Sequence, residues 1–360
     1  MRRRLQRLII VLAVGIVASY GVAEYALAQK PTSLPVKLRF ASFFPETHMC
    51  SNYHKIWQEE ITKRTKGAIT FENFMGAALG APLAHIDLIK KGSAQIGSIY
   101  EWYTPSRFVF GNFENVFPFG VADPVILYKA MRKIEEEFPQ MKKDAERENV
   151  IMLADPPGGE YAFMSKKPLK TLEDFKGEKV SLVGRYFGKW LPPGATAVVR
   201  PATERYELLR GGVVNIDLLP WEHYAAWKIY EVTKYYVKAD ISAAVYSPIY
   251  MNLDTFKQFS PEIQKILIKT RDELDLRMAT ELIPKWREKV FSDFKASGIV
   301  FMVFPEEEIK KWASHVPDTA AEWAAEVEGI GYPGFKLVQR WQEITSELGF
   351  KWARKWGTKK

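Results

Sequence analysis

The chain has 360 residues, a formal charge of +8, 47% hydrophobic residues and one cysteine. A lone cysteine excludes an intramolecular disulfide framework, so stability must come from a buried core, and a chain this long ordinarily divides into two domains. The Lys and Arg residues are scattered rather than striped along one face, which argues against a nucleic-acid partner.

Arg2, Arg3, Arg4 and Arg7 precede an apolar run from Leu8 to Val17, and Ala26-Leu27-Ala28 supplies small residues ahead of Gln29. That is the order of a cleavable secretory signal peptide. An uncleaved anchor is the competing reading, but the apolar stretch ends at Ala23, short of the ~20 residues a spanning helix needs. The expectation is a signal peptide over residues 1–28 and a periplasmic mature chain. Removing it takes away four Arg and one Glu, lowering the formal charge from +8 to +5. Cys50 lies well past this segment, so it is read as a buried structural thiol rather than a lipid attachment site.

From Val36 onward, short apolar runs alternate with helical patterns. Val36–Phe40 alternates as a strand, and a helix is expected from about Glu46 to Lys66, with Tyr53, Ile56, Trp57 and Ile61 on one face and Gly67 as its stop. Strands are expected at Ala68–Glu72 and Gln95–Tyr100, separated by a helix opened by Pro82 and closed by Gly92. Asp123-Pro124 pairs a capping carboxylate with proline at the first helical position, and Leu127, Tyr128, Met131, Ile134 and Phe138 are expected to form that helix's buried stripe. Val150–Ala154 is β-like.

A second unit repeats the plan. Thr171 caps a short helix ending at Gly177, and Lys179–Val183 is a strand. Thr203–Arg210 is a helix, Val213–Leu218 a buried strand and Ile249–Leu253 another. Ser260-Pro261 opens a very long helical pattern reaching about Lys295, and Val300–Phe304 is a late strand before helices rich in Trp and Ala. This alternation predicts an α/β fold of two lobes, each a mostly parallel sheet flanked by helices, with the 261–295 helix bridging them. The expected division is 36–155 plus 247–285 for one lobe and 156–246 plus 299–355 for the other. Ligands in such folds bind outside the carboxyl ends of strands, here in a cleft that hinge motion can close.

Catalytic signatures are sparse. The five histidines show no metal-binding spacing, and no GxSxG, GxGxxG or GxxxxGK[ST] occurs. No catalytic residue, metal or cofactor is expected. For an exported enzyme the only acid–base candidates are Glu101, or Glu160 with Tyr161. Aromatic residues instead cluster after expected strand ends, where cleft residues stand: Phe43-Phe44, Trp102-Tyr103, and Trp221 with Tyr224.

Several segments stand out in order: Thr65-Lys66-Gly67-Ala68-Ile69-Thr70-Phe71, Phe74-Met75-Gly76-Ala77-Ala78-Leu79-Gly80, Lys91–Gly97 and Pro168–Val180. Leu208–Asn215, Tyr246-Ser247-Pro248 and Phe259–Gln264 follow. Together, from about Val36 to at least Arg287, they resemble the TRAP-type periplasmic solute-binding proteins, the family that includes DctP-like dicarboxylate binders. The resemblance implies a two-lobed receptor that closes on one small molecule and passes it to the membrane permease subunits of a TRAP transporter. The alternative partner is a sensory receptor.

The resemblance also implies where polar contacts should fall, and here the chain departs. The family's carboxylate-gripping arginine corresponds to Ser181, a second arginine falls at Glu160-Tyr161, and the glutamate–asparagine pair before proline is Leu218-Leu219 before Pro220. Arg185 is the candidate substitute. The ligand-binding candidates are therefore Phe44, His48, Trp102 and Tyr103 from one lobe. Glu160, Tyr161, Ser181, Arg185, Leu219, Trp221 and Tyr246 are those from the other. The expected ligand is neutral, aromatic or cationic rather than a C4-dicarboxylate.

Overall fold

The computed structural model describes residues 34–358 except 112, 185, 246 and 247. The segment read as a signal peptide, and the candidates Arg185 and Tyr246, lie outside the described residues. The strands are β1 (Val36–Ala41), β2 (Ile69–Phe74), β3 (Ile96–Ser98), β4 (Val150–Ala154), β5 (Pro157–Ser165) and β6 (Lys179–Leu182). They continue with β7 (Thr196–Val199), β8 (Ile216–Pro220), β9 (Tyr235–Val245), β10 (Ile249–Asn252) and β11 (Val300–Val303).

Two sheets form, one in the order β2-β1-β3-β10-β4 and one in the order β11-β9-β5-β8-β6-β7. Parallel pairs such as β1–β2 and β6–β7 are joined through antiparallel neighbours, β10 in the first sheet and β5 in the second. β4 runs directly into β5 through Asp155 and Pro156, so the chain crosses from one sheet to the other there.

Local chemistry explains most element boundaries. The first long helix spans Met49–Arg64, starting three residues later than its apolar pattern suggests because His48 caps it, Nδ1 accepting the Cys50 N–H at 3.0 Å. Tyr53, Trp57 and Ile61 recur every four residues on its buried face. Asp123 accepts from Val125 and Ile126 N–H at the start of the Pro124–Glu137 helix. The long helical pattern is a helix from Pro261 to Ala296, interrupted by a π-helical stretch at Met278–Leu282. Pro284 lacks an amide hydrogen and its ring crowds the carbonyl four residues back, at Thr280 inside that stretch; widening the turn relieves the clash. Residues before the π stretch pack on the Met49–Arg64 helix and β4, while those after it reach the short Trp221–Ala226 helix. The helix therefore spans both sheets.

The sequence pattern does not disclose β5, β7 or β9. All nine residues of β5 are buried, so no polar face alternates with an apolar one. Tyr161 and Phe163 enter a core with Trp312 and Trp341, while Ala162 and Met164 enter another with Trp57 and Phe294. Among the described residues, no helix is long and apolar enough to cross a membrane.

Candidate functional site

Between the two sheets lies a cavity of about 320 Å³, near the lower end of the ~300–1,000 Å³ usual for small-molecule sites. One wall comes from the first sheet: Phe43 and Phe44 follow β1, Ala81–Leu83 lead into a 3-10 turn, and Tyr100 and Tyr103 follow β3. The opposite wall comes from the second: Tyr161 on β5, Val183 after β6, Pro201–Thr203 after β7, Leu219 and Pro220 at the end of β8, then His223 and Trp227. Most of these positions follow carboxyl ends of strands, where α/β sheets place their ligands.

The described lining is aromatic and uncharged. Phe43, Phe44, Tyr100, Tyr103, Tyr161 and Trp227 contribute rings, and among the described lining residues there is no Asp, Glu, Lys or Arg. Phe44 packs 4.2 Å from the His48 ring, and Tyr161 lies 4.6 Å from Phe187, so these walls are buttressed from behind. The Tyr103 and Tyr161 hydroxyls have no hydrogen-bond partner among the described residues.

Of the sequence candidates, Phe44, Tyr103, Tyr161 and Leu219 line the cavity. His48 sits one layer behind, fully buried, with Nε2 3.3 Å from His223 Nδ1. Trp102 falls in the 3-10 turn Glu101–Tyr103, its side chain outside the described set. Glu160 turns the other way from Tyr161, as neighbours on a strand must, and faces Arg287 at 3.8 Å. Trp221 packs edge-on against Phe291, 6.0 Å between centroids.

Ser181 is completely buried and is not among the described residues that line the cavity. It stands in register with Asp217 on β8, and its hydroxyl donates to that carboxylate. Arg205 completes the cluster, donating to Asp217 at 3.1 and 3.3 Å, to the Leu218 carbonyl at 3.0 Å and to the Arg200 carbonyl at 3.3 Å. Burial outweighs the guanidinium beside it and raises the Asp217 carboxyl above the ordinary carboxylate range. The cluster is self-contained, with the guanidinium spent on internal acceptors.

His223 and Trp227 were not among the sequence candidates. The Trp221–Ala226 helix decides their exposure: Trp221 and Tyr224, three apart, share the core face, whereas His223 and Trp227, four apart, share the cavity face. That spacing was the available signal. Burial, then the nearby Arg205 charge, push the His223 imidazole down to about 3, and burial with His223 and His54 holds His48 well below its usual value. Both rings are neutral at physiological pH.

A second cavity, of about 400 Å³, is bordered by Glu101, Glu135, Lys142, Met152, Phe256 and Arg271. Among the described residues it draws nothing from the second sheet, so a ligand there would not bridge the two. Among the described residues no group of three or more His, Cys, Asp and Glu is placed to hold a metal.

The DctP model, bacterial extracellular solute-binding protein family 7, matches residues 40–326. The chain belongs to this family of solute receptors. It is 25% identical to an uncharacterised Haemophilus influenzae protein over 287 residues, 77% of this chain and 84% of that one. Solved structures share the fold. A marine metagenome TRAP solute-binding protein specific for aromatic acids, in complex with 3-hydroxybenzoate, superposes with a TM-score of 0.77 at 22% identity, covering 88% of this chain and 100% of its own. Another metagenome TRAP protein, in complex with co-purified pyroglutamate, gives 0.72 at 18% identity, covering 86% and 100%.

Proposed function

We propose that this receptor captures a small aromatic solute in the cavity between its sheets and delivers it to the membrane permease subunits of a TRAP-type transporter. The observation that carries the reading is the lining itself: six aromatic rings and no charged side chain among the described lining residues. A C4-dicarboxylate would bring two negative charges into this space and no ring for its walls, whereas an aromatic monocarboxylate brings one charge and a ring. Buried charge is tolerated only when paired, and charge-assisted hydrogen bonds supply ~1.5–3 kcal/mol each. The resemblance implies that Ser181 takes the position of the family's gripping arginine, and the buried Arg205 is already held by Asp217.

The aromatic-acid specificity of one structural relative supports the same reading. On this account residues 36–155 with 247–285 and 156–246 with 299–355 form the two lobes, and export is directed by residues 1–28. A ring touching Phe44 and Tyr103 on one side and Tyr161 on the other makes its full contacts only when the lobes are together, so binding favours closure. The ligand leaves unchanged: Glu160 is turned to Arg287, and Glu101 accepts from the Tyr250 hydroxyl away from this cavity.

A thermal-shift panel tests the reading. Benzoate and 3-hydroxybenzoate should raise the melting temperature, because ligand at 100 times its dissociation constant adds ~2.7 kcal/mol. Stabilisation by succinate or malate, with no response to the aromatic compounds, would overturn it.

A further inference from the structure

We infer that His223 is a specificity-determining donor that presents Nε2–H to an oxygen acceptor on the aromatic solute, its tautomer set by His48. The inference rests on the proposed aromatic-solute reading. The geometry leaves one consistent arrangement for two neutral imidazoles. His48 Nδ1 accepts the Cys50 backbone N–H at 3.0 Å, so the His48 proton is on Nε2. That Nε2 stands 3.3 Å from His223 Nδ1 and donates to it, so the His223 proton is on its own Nε2. A backbone amide thereby dictates, through two rings, what the cavity wall offers.

The wall position is also fixed. His223 is 7% exposed and lines the cavity, with Nδ1 committed to His48 and Nε2 without a hydrogen-bond partner among the described residues. The Phe44 ring packs against His48, and the Trp227 ring lies 5.8 Å from it, holding the pair in place. The Tyr103 and Tyr161 hydroxyls can either donate or accept, so they discriminate little. A neutral His223 of this tautomer can only donate through Nε2. The solute it selects carries a carboxylate or carbonyl oxygen, and an aromatic amine is disfavoured.

Nitrogen-15 NMR of histidine-labelled protein reads the tautomer directly, without any ligand. His223 should appear as neutral Nε2–H at pH 7, and His48→Asn, which can still cap Cys50 but cannot reach His223, should introduce the other tautomer. An Nδ1–H ring or an imidazolium at His223 in the wild type would overturn the inference. Calorimetry with benzoate supplies the second arm. His223→Phe should weaken binding about tenfold, the usual scale for one lost hydrogen bond, while His223→Gln, whose amide can supply an N–H near the Nε2 position, should recover part of it. Unchanged benzoate affinity in a folded His223→Phe variant would refute the donor role and leave the aromatic reading standing. Failure of every aromatic compound to bind wild type would sink the aromatic reading, while the NMR arm still decides the tautomer.

Discussion

Ser181, Asp217 and Arg205 meet with no exposure to solvent. Taking a guanidinium and a carboxylate out of water is costly, and their attraction repays it only while both are present. Arg205→Met or Asp217→Leu alone should cost about 3–5 kcal/mol, since each strands a buried charge. The double variant should lose less than the sum, and less than either single change if the apolar pair packs. Denaturant titration of all four proteins checks this; strict additivity would mean the two side chains are not coupled. The resemblance read from order and spacing implies that Ser181 takes the family's arginine position. They do not disclose that Asp217 lies in register beside it, or that Arg205 arrives from a helix after the next strand. Those pairings are properties of the sheet.

At the level of elements, alternation decides which neighbours reach the cavity. On β5, Tyr161 does so while Glu160 does not; Leu219 and Pro220 at the end of β8 also do, whereas Trp221 stands on the core face of the helix that follows. Caps at Asp123, Thr171 and Ser260 were legible because capping is local chemistry. The fully buried β5 was not, because apolar side chains stand on both of its faces and its one charged residue, Glu160, is itself buried. The 3-10 turn Phe113–Val116 shows how far burial goes: all four residues are buried, and the Val116 carbonyl accepts from the Thr319 hydroxyl at 2.6 Å. Within it, burial pushes the Glu114 carboxyl up to about 8 from 4.5. The native state then holds a proton that the unfolded chain has released, so this group's contribution is complete below about pH 4.5 and is lost as pH rises towards 8. Glu114→Gln should remove that slope, gaining roughly 1–3 kcal/mol over wild type between pH 5 and pH 8 in urea titrations. Parallel pH profiles for the two proteins would contradict the assignment.

Across the whole molecule, the two-sheet plan and the helix from Pro261 to Ala296 follow from the sequence's alternation and its long apolar period. The cavity's character follows from residues that come together only when both sheets are in place: Phe44 and Tyr103 from one, Tyr161 and Trp227 from the other. If the solute is an aromatic compound gripped from both sides, each wall must contribute to its affinity. Isothermal titration of 3-hydroxybenzoate into wild type, Tyr103→Ala and Tyr161→Ala tests this directly. The account predicts one-site binding with a negative heat-capacity change, weakened at least about tenfold by either truncation. Binding that survives both truncations undiminished, or a titration in which only succinate or malate is bound, would contradict it.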